Sequence, residues 1–117
     1  MQYLALIYSD EADGAKRTPE ENQAYLQAYG VFTEHAKAVG AFLGGEALTP
    51  VATAKSVRVR DGERIVTDGP FAETREALGG FYLLECETEE QAIELAAQIP
   101  TATHGTIEVR PIMVWDS

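Results

Sequence analysis

Residues 18–40 read TPEENQAYLQAYGVFTEHAKAVG, and the rest of the fold is organised around this stretch. Thr18 is a capping residue, Pro19 suits the first helical position, and Glu21 stands where it completes a capping box. Tyr25, Tyr29, Phe32, Ala36 and Val39 follow at spacings of four, three, four and three, which is one helical stripe. Gly40 is a natural stop, because glycine readily takes the left-handed conformation that ends a helix. Such a helix has one apolar face to cover, and the neighbouring runs offer a sheet. Upstream, residues 2–8 are a short apolar run rich in Tyr, Leu and Ile, predicted to be a strand with both faces covered. Between them Ser9 to Arg17 is the most polar stretch and reads as a flexible loop.

Downstream, residues 41–48 read as a strand bent or bulged at Gly44-Gly45 and ended by Pro50. Residues 55–60 alternate Lys55, Val57, Val59 with Ser56, Arg58, Arg60, and Asp61-Gly62 then signals a hairpin that returns over Glu63 to Thr67. Asp68-Gly69-Pro70-Phe71 reads as a turn, followed by a polar loop to Leu78. Residues 81–86 form a second strand apolar on both faces. Thr88-Glu89-Glu90-Gln91 reads as another capping box, ahead of a helix that carries Ala92, Leu95, Ala96 and Ile99 and stops at Pro100. A last strand runs from about Thr106 to Trp115, with Pro111 marking an edge or a bulge. Without the hairpin the order is βαββαβ, so an α+β, ferredoxin-like fold is predicted. Two helices cover one face of such a sheet. A second copy of the chain is the simplest cover for the other, so a homodimer packed sheet to sheet is expected.

The 117 residues are 45% hydrophobic and 24% charged, which fits a single globular domain over residues 1–117. Nineteen Asp and Glu against nine Lys and Arg give a net charge of -10. That balance argues against nucleic acid and anionic membranes as partners, because phosphate contact needs clustered cations. No apolar run reaches the ~18 residues of a membrane span, and the N-terminus lacks the pattern of a signal peptide. Cys86 stands alone and reads as a small buried hydrophobe, so a cytoplasmic setting is the expectation. GxGxxG, P-loop, HExxH and GxSxG motifs are absent, and two His and one Cys, widely spaced, argue against structural zinc. No cofactor is expected.

Three separated motifs resemble those of the YCII-related family. They are Asp68-Gly69-Pro70-Phe71 within residues 66–82, Gly44-Gly45-Glu46-Ala47-Leu48, and residues 105–112. The resemblance covers essentially the whole chain. It implies a dimeric α/β barrel built from the ferredoxin-like unit. It implies no fixed activity, although neighbourhood to extracytoplasmic-function sigma factors suggests a regulatory link for some members. A His–Asp pair is proposed as catalytic in the enzyme-like branch. Asp68 answers to its Asp, and His35, on the first helix, matches the His loosely in position.

Seven residues emerge as candidates. Asp68 follows a strand and precedes Gly69-Pro70; burial against an apolar wall would raise its pKa and suit a general acid or base. The same position equally suits a turn-building Asp that accepts backbone N–H groups. His104, in the loop before the last strand, can titrate near neutral pH and is the other candidate partner beside His35. Arg58 shares a hairpin face with Arg60 and is a candidate for binding an anionic group, or for pairing with Glu63. Glu46 is a carboxylate inside an otherwise apolar strand, and Tyr8 and Tyr82 offer hydroxyls to a ligand or rings to the core. The readings are therefore a cofactor-free small-molecule enzyme using Asp68, a non-catalytic module binding a metabolite or a protein, and a purely structural dimer.

Overall fold

The computed structural model describes residues 1–115. In chain order it runs β1 (Gln2–Ser9), α1 (Glu11–Ala15), α2 (Pro19–Ala38), β2 (Phe42–Ala47), β3 (Lys55–Arg60), β4 (Glu63–Asp68), β5 (Ala77–Glu85), α3 (Glu89–Ala97) and β6 (Thr106–Pro111), with single helical turns at Val51–Thr53 and Pro100–Thr103. The main sheet is antiparallel in the order β2-β5-β1-β6, and β3-β4 form a separate two-stranded sheet. This is the ferredoxin-like α+β fold with an inserted hairpin that the element order predicts.

The long helix is closed at both ends by its own sequence. Thr18 Oγ1 accepts from Glu21 N at 3.1 Å and Glu21 Oε1 accepts from Thr18 N at 3.0 Å, the two halves of the capping box. These bonds to Thr18 hold the Glu21 carboxyl below its ordinary pKa. At the other end Gly40 has φ 76°, Gly40 N donates to Lys37 O at 3.0 Å, and Ala41 N donates to Ala36 O at 2.9 Å. That pair of bonds is a Schellman cap. Because Val39 is the capping residue it lies outside the stripe and is exposed, a departure from the predicted apolar face. Phe32 and Ala36 are the buried part of it.

Other boundaries differ locally. The expected loop from Ser9 to Arg17 contains α1, whose first turn is held by Asp10 Oδ1 accepting from Ala12 N at 3.0 Å. The capping box at Thr88 is half formed: Thr88 Oγ1 accepts from Gln91 N, but Gln91 Oε1 turns back one residue further, to Glu87 N at 2.8 Å. The bulge in β2 falls at Leu43, where the register passes from Phe42↔Leu84 to Gly44↔Leu83. β5 begins at Ala77, so Gly79 and Gly80 lie inside it. The last strand ends at Pro111, an edge position as expected, and Met113 to Trp115 are exposed beyond it.

Strand register sets the two faces of the sheet. Tyr3, Ala5 and Ile7 of β1 lie opposite Leu84, Tyr82 and Gly80 of β5, and all six are buried. On this face Phe32 and Ala36 of α2 and Ala92, Leu95 and Ile99 at α3 complete one core. The alternate positions pair Leu4 with Leu83 and Leu6 with Phe81, and these four are only half-buried. Cys86 is buried beside the core, and burial pushes its thiol pKa up.

The hairpin stands away from this body. Its turn has positive φ at Asp61 (51°) and Gly62 (78°), the requirement of a tight two-residue turn. Every residue of β3 and β4 except Ser56 is exposed. The radius of gyration is accordingly 16.3 Å, against about 13 Å for a compact chain of this length. Among the described residues no helix is long and apolar enough to cross a membrane.

Candidate functional site

A cavity of about 440 Å³ opens between the helix-covered face of the sheet and the α1–α2 corner. Ile7, Phe42 and Leu26 supply apolar wall, and Arg17, Tyr25, Tyr29, Thr33 and Thr101 supply the polar groups. Their convergence follows from the fold. Tyr25 and Tyr29 are one helical turn apart on the inward face of α2, with Thr33 a further turn along. Thr101 sits in the single turn after α3, which Pro100 opens. Arg17 is delivered by α1, the short helix between β1 and α2.

Thr101 is buried, and its Oγ1 is hydrogen-bonded to both the Tyr25 and the Tyr29 hydroxyls. Nearby, Thr33 Oγ1 donates to Tyr29 O at 2.9 Å, so it accepts from the Tyr82 hydroxyl, also at 2.9 Å. The Tyr29 and Tyr82 rings stack at 6.4 Å, and Phe32 and Phe42 meet Tyr82 edge-on. Burial, with a smaller push from Tyr25, drives the Tyr29 phenol well above its ordinary pKa of 10.0 despite the opposing bond from Thr101. Tyr29 is thus a proton donor throughout the neutral and mildly alkaline range.

The sign of the stability effect follows. Above pH 10 the unfolded phenol ionises while the folded one keeps its proton, so folding stability falls as pH rises from there toward the folded value. Tyr29→Phe should flatten this alkaline decline. Urea midpoints of both proteins at pH 9 and pH 11 check it, and parallel losses in the two would contradict it.

The Arg17 guanidinium lies 3.8 Å above the Tyr25 ring centroid. Its Nη2 stands 3.5 Å from His104 Nε2. Thr103 Oγ1 donates to Pro100 O at 3.0 Å and receives His104 Nδ1–H at 3.3 Å. A neutral His104 protonated on Nδ1 satisfies both contacts, leaving Nε2 to accept from Arg17.

The predicted residues are distributed as follows. Tyr82 and Glu46 border the cavity, Tyr82 buried and Glu46 exposed. His104 is exposed beside Arg17 and Tyr25 and shares a shallow groove along α2 with His35. Asp68 ends β4 with its side chain 86% exposed, ion-paired to Lys55, which the hairpin register sets opposite it. It borders neither that groove nor the cavity. Arg58 is exposed on β3 opposite Ile65, and Glu63 stands opposite Arg60 instead. Tyr8 is half-buried and borders a separate groove together with residues 69–71. Within one chain, therefore, Asp68 and the two histidines do not converge. Among the described residues no three His, Cys, Asp or Glu side chains are placed to hold a metal ion.

Arg17, Tyr25, Tyr29 and Thr101 escaped the sequence reading as site residues. The two tyrosines were legible only as part of the apolar stripe, and Arg17 only as part of a polar stretch. The usable clue was the chemistry of the stripe itself. Its two inward positions nearest the helix start carry hydroxyls.

The family model of the YCII-related domain matches residues 1–116. An uncharacterized protein of Rhizobium meliloti (strain 1021) is 33% identical over 117 residues, which cover 98% of this chain and 94% of that protein. The match takes in the Gly-Gly-Glu strand, the Asp-Gly-Pro-Phe turn and the final strand alike. On sequence motifs, strand order and full-length match together, the chain belongs to the YCII-related family.

Proposed function

We propose that the chain binds a small organic molecule in the cavity between α1, α2 and the sheet, and acts on it by proton transfer. The observation that carries this is the hydroxyl cluster of Tyr25, Thr101 and Tyr29 at the cavity wall. A preorganised donor of this kind, the one O–H the cluster leaves over, stabilises charge developing on a substrate oxygen, such as an enolate. Glu46 lies opposite Phe81, on the open face of the sheet, and Asp10 and Glu11 already accept from backbone amides, so the proton-transfer group at the cavity wall in this reading is a tyrosine hydroxyl of the cluster. Chemistry of this kind requires no bound cofactor. Asp68 serves the hairpin through Lys55 in this scheme.

A thermal-shift screen of a small-molecule library against the wild type and Thr101→Val tests the site, because a ligand that binds the native state raises its melting temperature. Hits weakened tenfold or more in the variant are expected; hits of unchanged affinity would move binding elsewhere. A hit recovered unchanged after prolonged incubation would select binding without turnover, as in a regulatory module.

The functional unit in this proposal is a homodimer joined through the open sheet face. The chain exposes 8349 Å², whereas a compact monomer of 12.7 kDa exposes about 6200 Å². Part of the surplus is the uncovered face of Leu4, Leu6, Phe81 and Leu83.

A further inference from the structure

We infer that the ligand of this cavity is a small apolar monocarboxylate, with Arg17 and one hydroxyl of the Tyr25–Thr101–Tyr29 cluster holding its charged end; this rests on the binding site proposed above. Proton counting supplies the first support. Three hydroxyls carry three protons but make two mutual hydrogen bonds. Thr101 is buried, so its own proton is used within the cluster rather than left without a partner. One tyrosine O–H is then left over at the cavity wall.

Arg17 supplies the second. The chain has a net charge of -10, yet among the described residues Arg17 has no carboxylate at ion-pair distance. Its acidic neighbours are committed elsewhere: Asp10 to Ala12 N and Arg75, Glu11 to Val51 N, and Glu21, which feels the Arg17 charge, to Thr18 N. Arg17 is also held in place, with Tyr25 beneath it and Gly14 so near that an added Cβ would meet Nη1 at 3.2 Å. Stacking occupies the face of the guanidinium, and apart from the Nη2 contact to His104 its edge N–H groups are left for a carboxylate.

The remaining walls set the rest of the molecule. Ile7, Leu26 and Phe42 favour an aryl or short alkyl body, and about 440 Å³ lies within the range of small-ligand pockets. Among the described residues Arg17 is the one Lys or Arg bordering the cavity, where Asp10, Glu11 and Glu46 also stand, so no more than a single negative charge is matched. A phosphate ester or dicarboxylate would meet the repulsion of an acidic chain.

Calorimetric titration with 3-phenylpropionate and its neutral amide, on the wild type and Arg17→Gln, tests this. The acid is expected to bind the wild type at least about tenfold tighter than the amide. Arg17→Gln should bring the acid down to the level of the amide and leave the amide unchanged. Should Arg17→Gln fail to fold, Arg17→Lys replaces it, with an expected loss of about threefold for the acid alone. Equal binding of acid and amide, or acid binding unmoved by the variant, overturns the carboxylate assignment. So does binding of neither compound while library hits still depend on Thr101; the cavity proposal then survives. If no library member binds through Thr101 either, both proposals fall.

Discussion

Gly105→Ala is expected to destabilise the chain by about 3 kcal/mol or more, by overpacking a site with no room to relax. An added Cβ would collide with Tyr8 O and would lie 2.8 Å from Thr101 Cγ2 and 3.2 Å from Ser9 Cβ. Gly105 does not have positive φ, so the cost is steric and not torsional. Nor can the backbone retreat. Gly105 N donates to Thr101 O at 2.7 Å, and the next residue, Thr106, already pairs with Tyr8 across β1 and β6. Since the crowded Thr101 also holds Tyr25 and Tyr29, the variant should lose ligand affinity along with stability. Denaturant unfolding measures the first and titration the second. A midpoint within experimental error of the wild type would show that this corner of the structure is looser than described.

The second large effect concerns the open sheet face. Sedimentation velocity of the wild type at micromolar concentration should show a dimer. Leu6→Glu should convert it to a monomer with the secondary structure retained. Leu6 sits at the centre of the face, opposite Phe81 on β5 and Glu108 on β6. Burying an unpaired carboxylate there costs about 3 kcal/mol or more, which is over a hundredfold in dissociation constant. In a two-fold dimer the charge enters the interface twice. A wild-type monomer would contradict the proposal outright, and so would a Leu6→Glu dimer as tight as the wild type.

What could be read beforehand divides along physical lines. The fold was legible because its cues are local and redundant. Thr18, Pro19 and Glu21 start α2, Gly40 stops it, and Asp61-Gly62 turns the hairpin. α1 was not legible: five residues that include Gly14 carry no stripe, and it exists because Asp10 caps it. The site was harder for a different reason. Periodicity says that Tyr25 and Tyr29 face inward, but not that a threonine 72 residues further on will bind the Tyr29 hydroxyl. Thr101 and Arg17 meet the tyrosines only through tertiary packing. Asp68 shows the converse. Its motif is conspicuous in the sequence, and the hairpin register then spends the carboxylate on Lys55 at an exposed strand end.

The most direct test of the cavity as the functional site is a map of backbone amide shifts as the strongest library hit is titrated into the labelled protein. Changes are expected to concentrate at Arg17, Tyr25, Tyr29, Gly45, Gly80 and Thr101, which border the cavity. Changes confined to the hairpin around Lys55 and Asp68 would contradict the account and return the chemistry to the Asp-Gly-Pro-Phe turn.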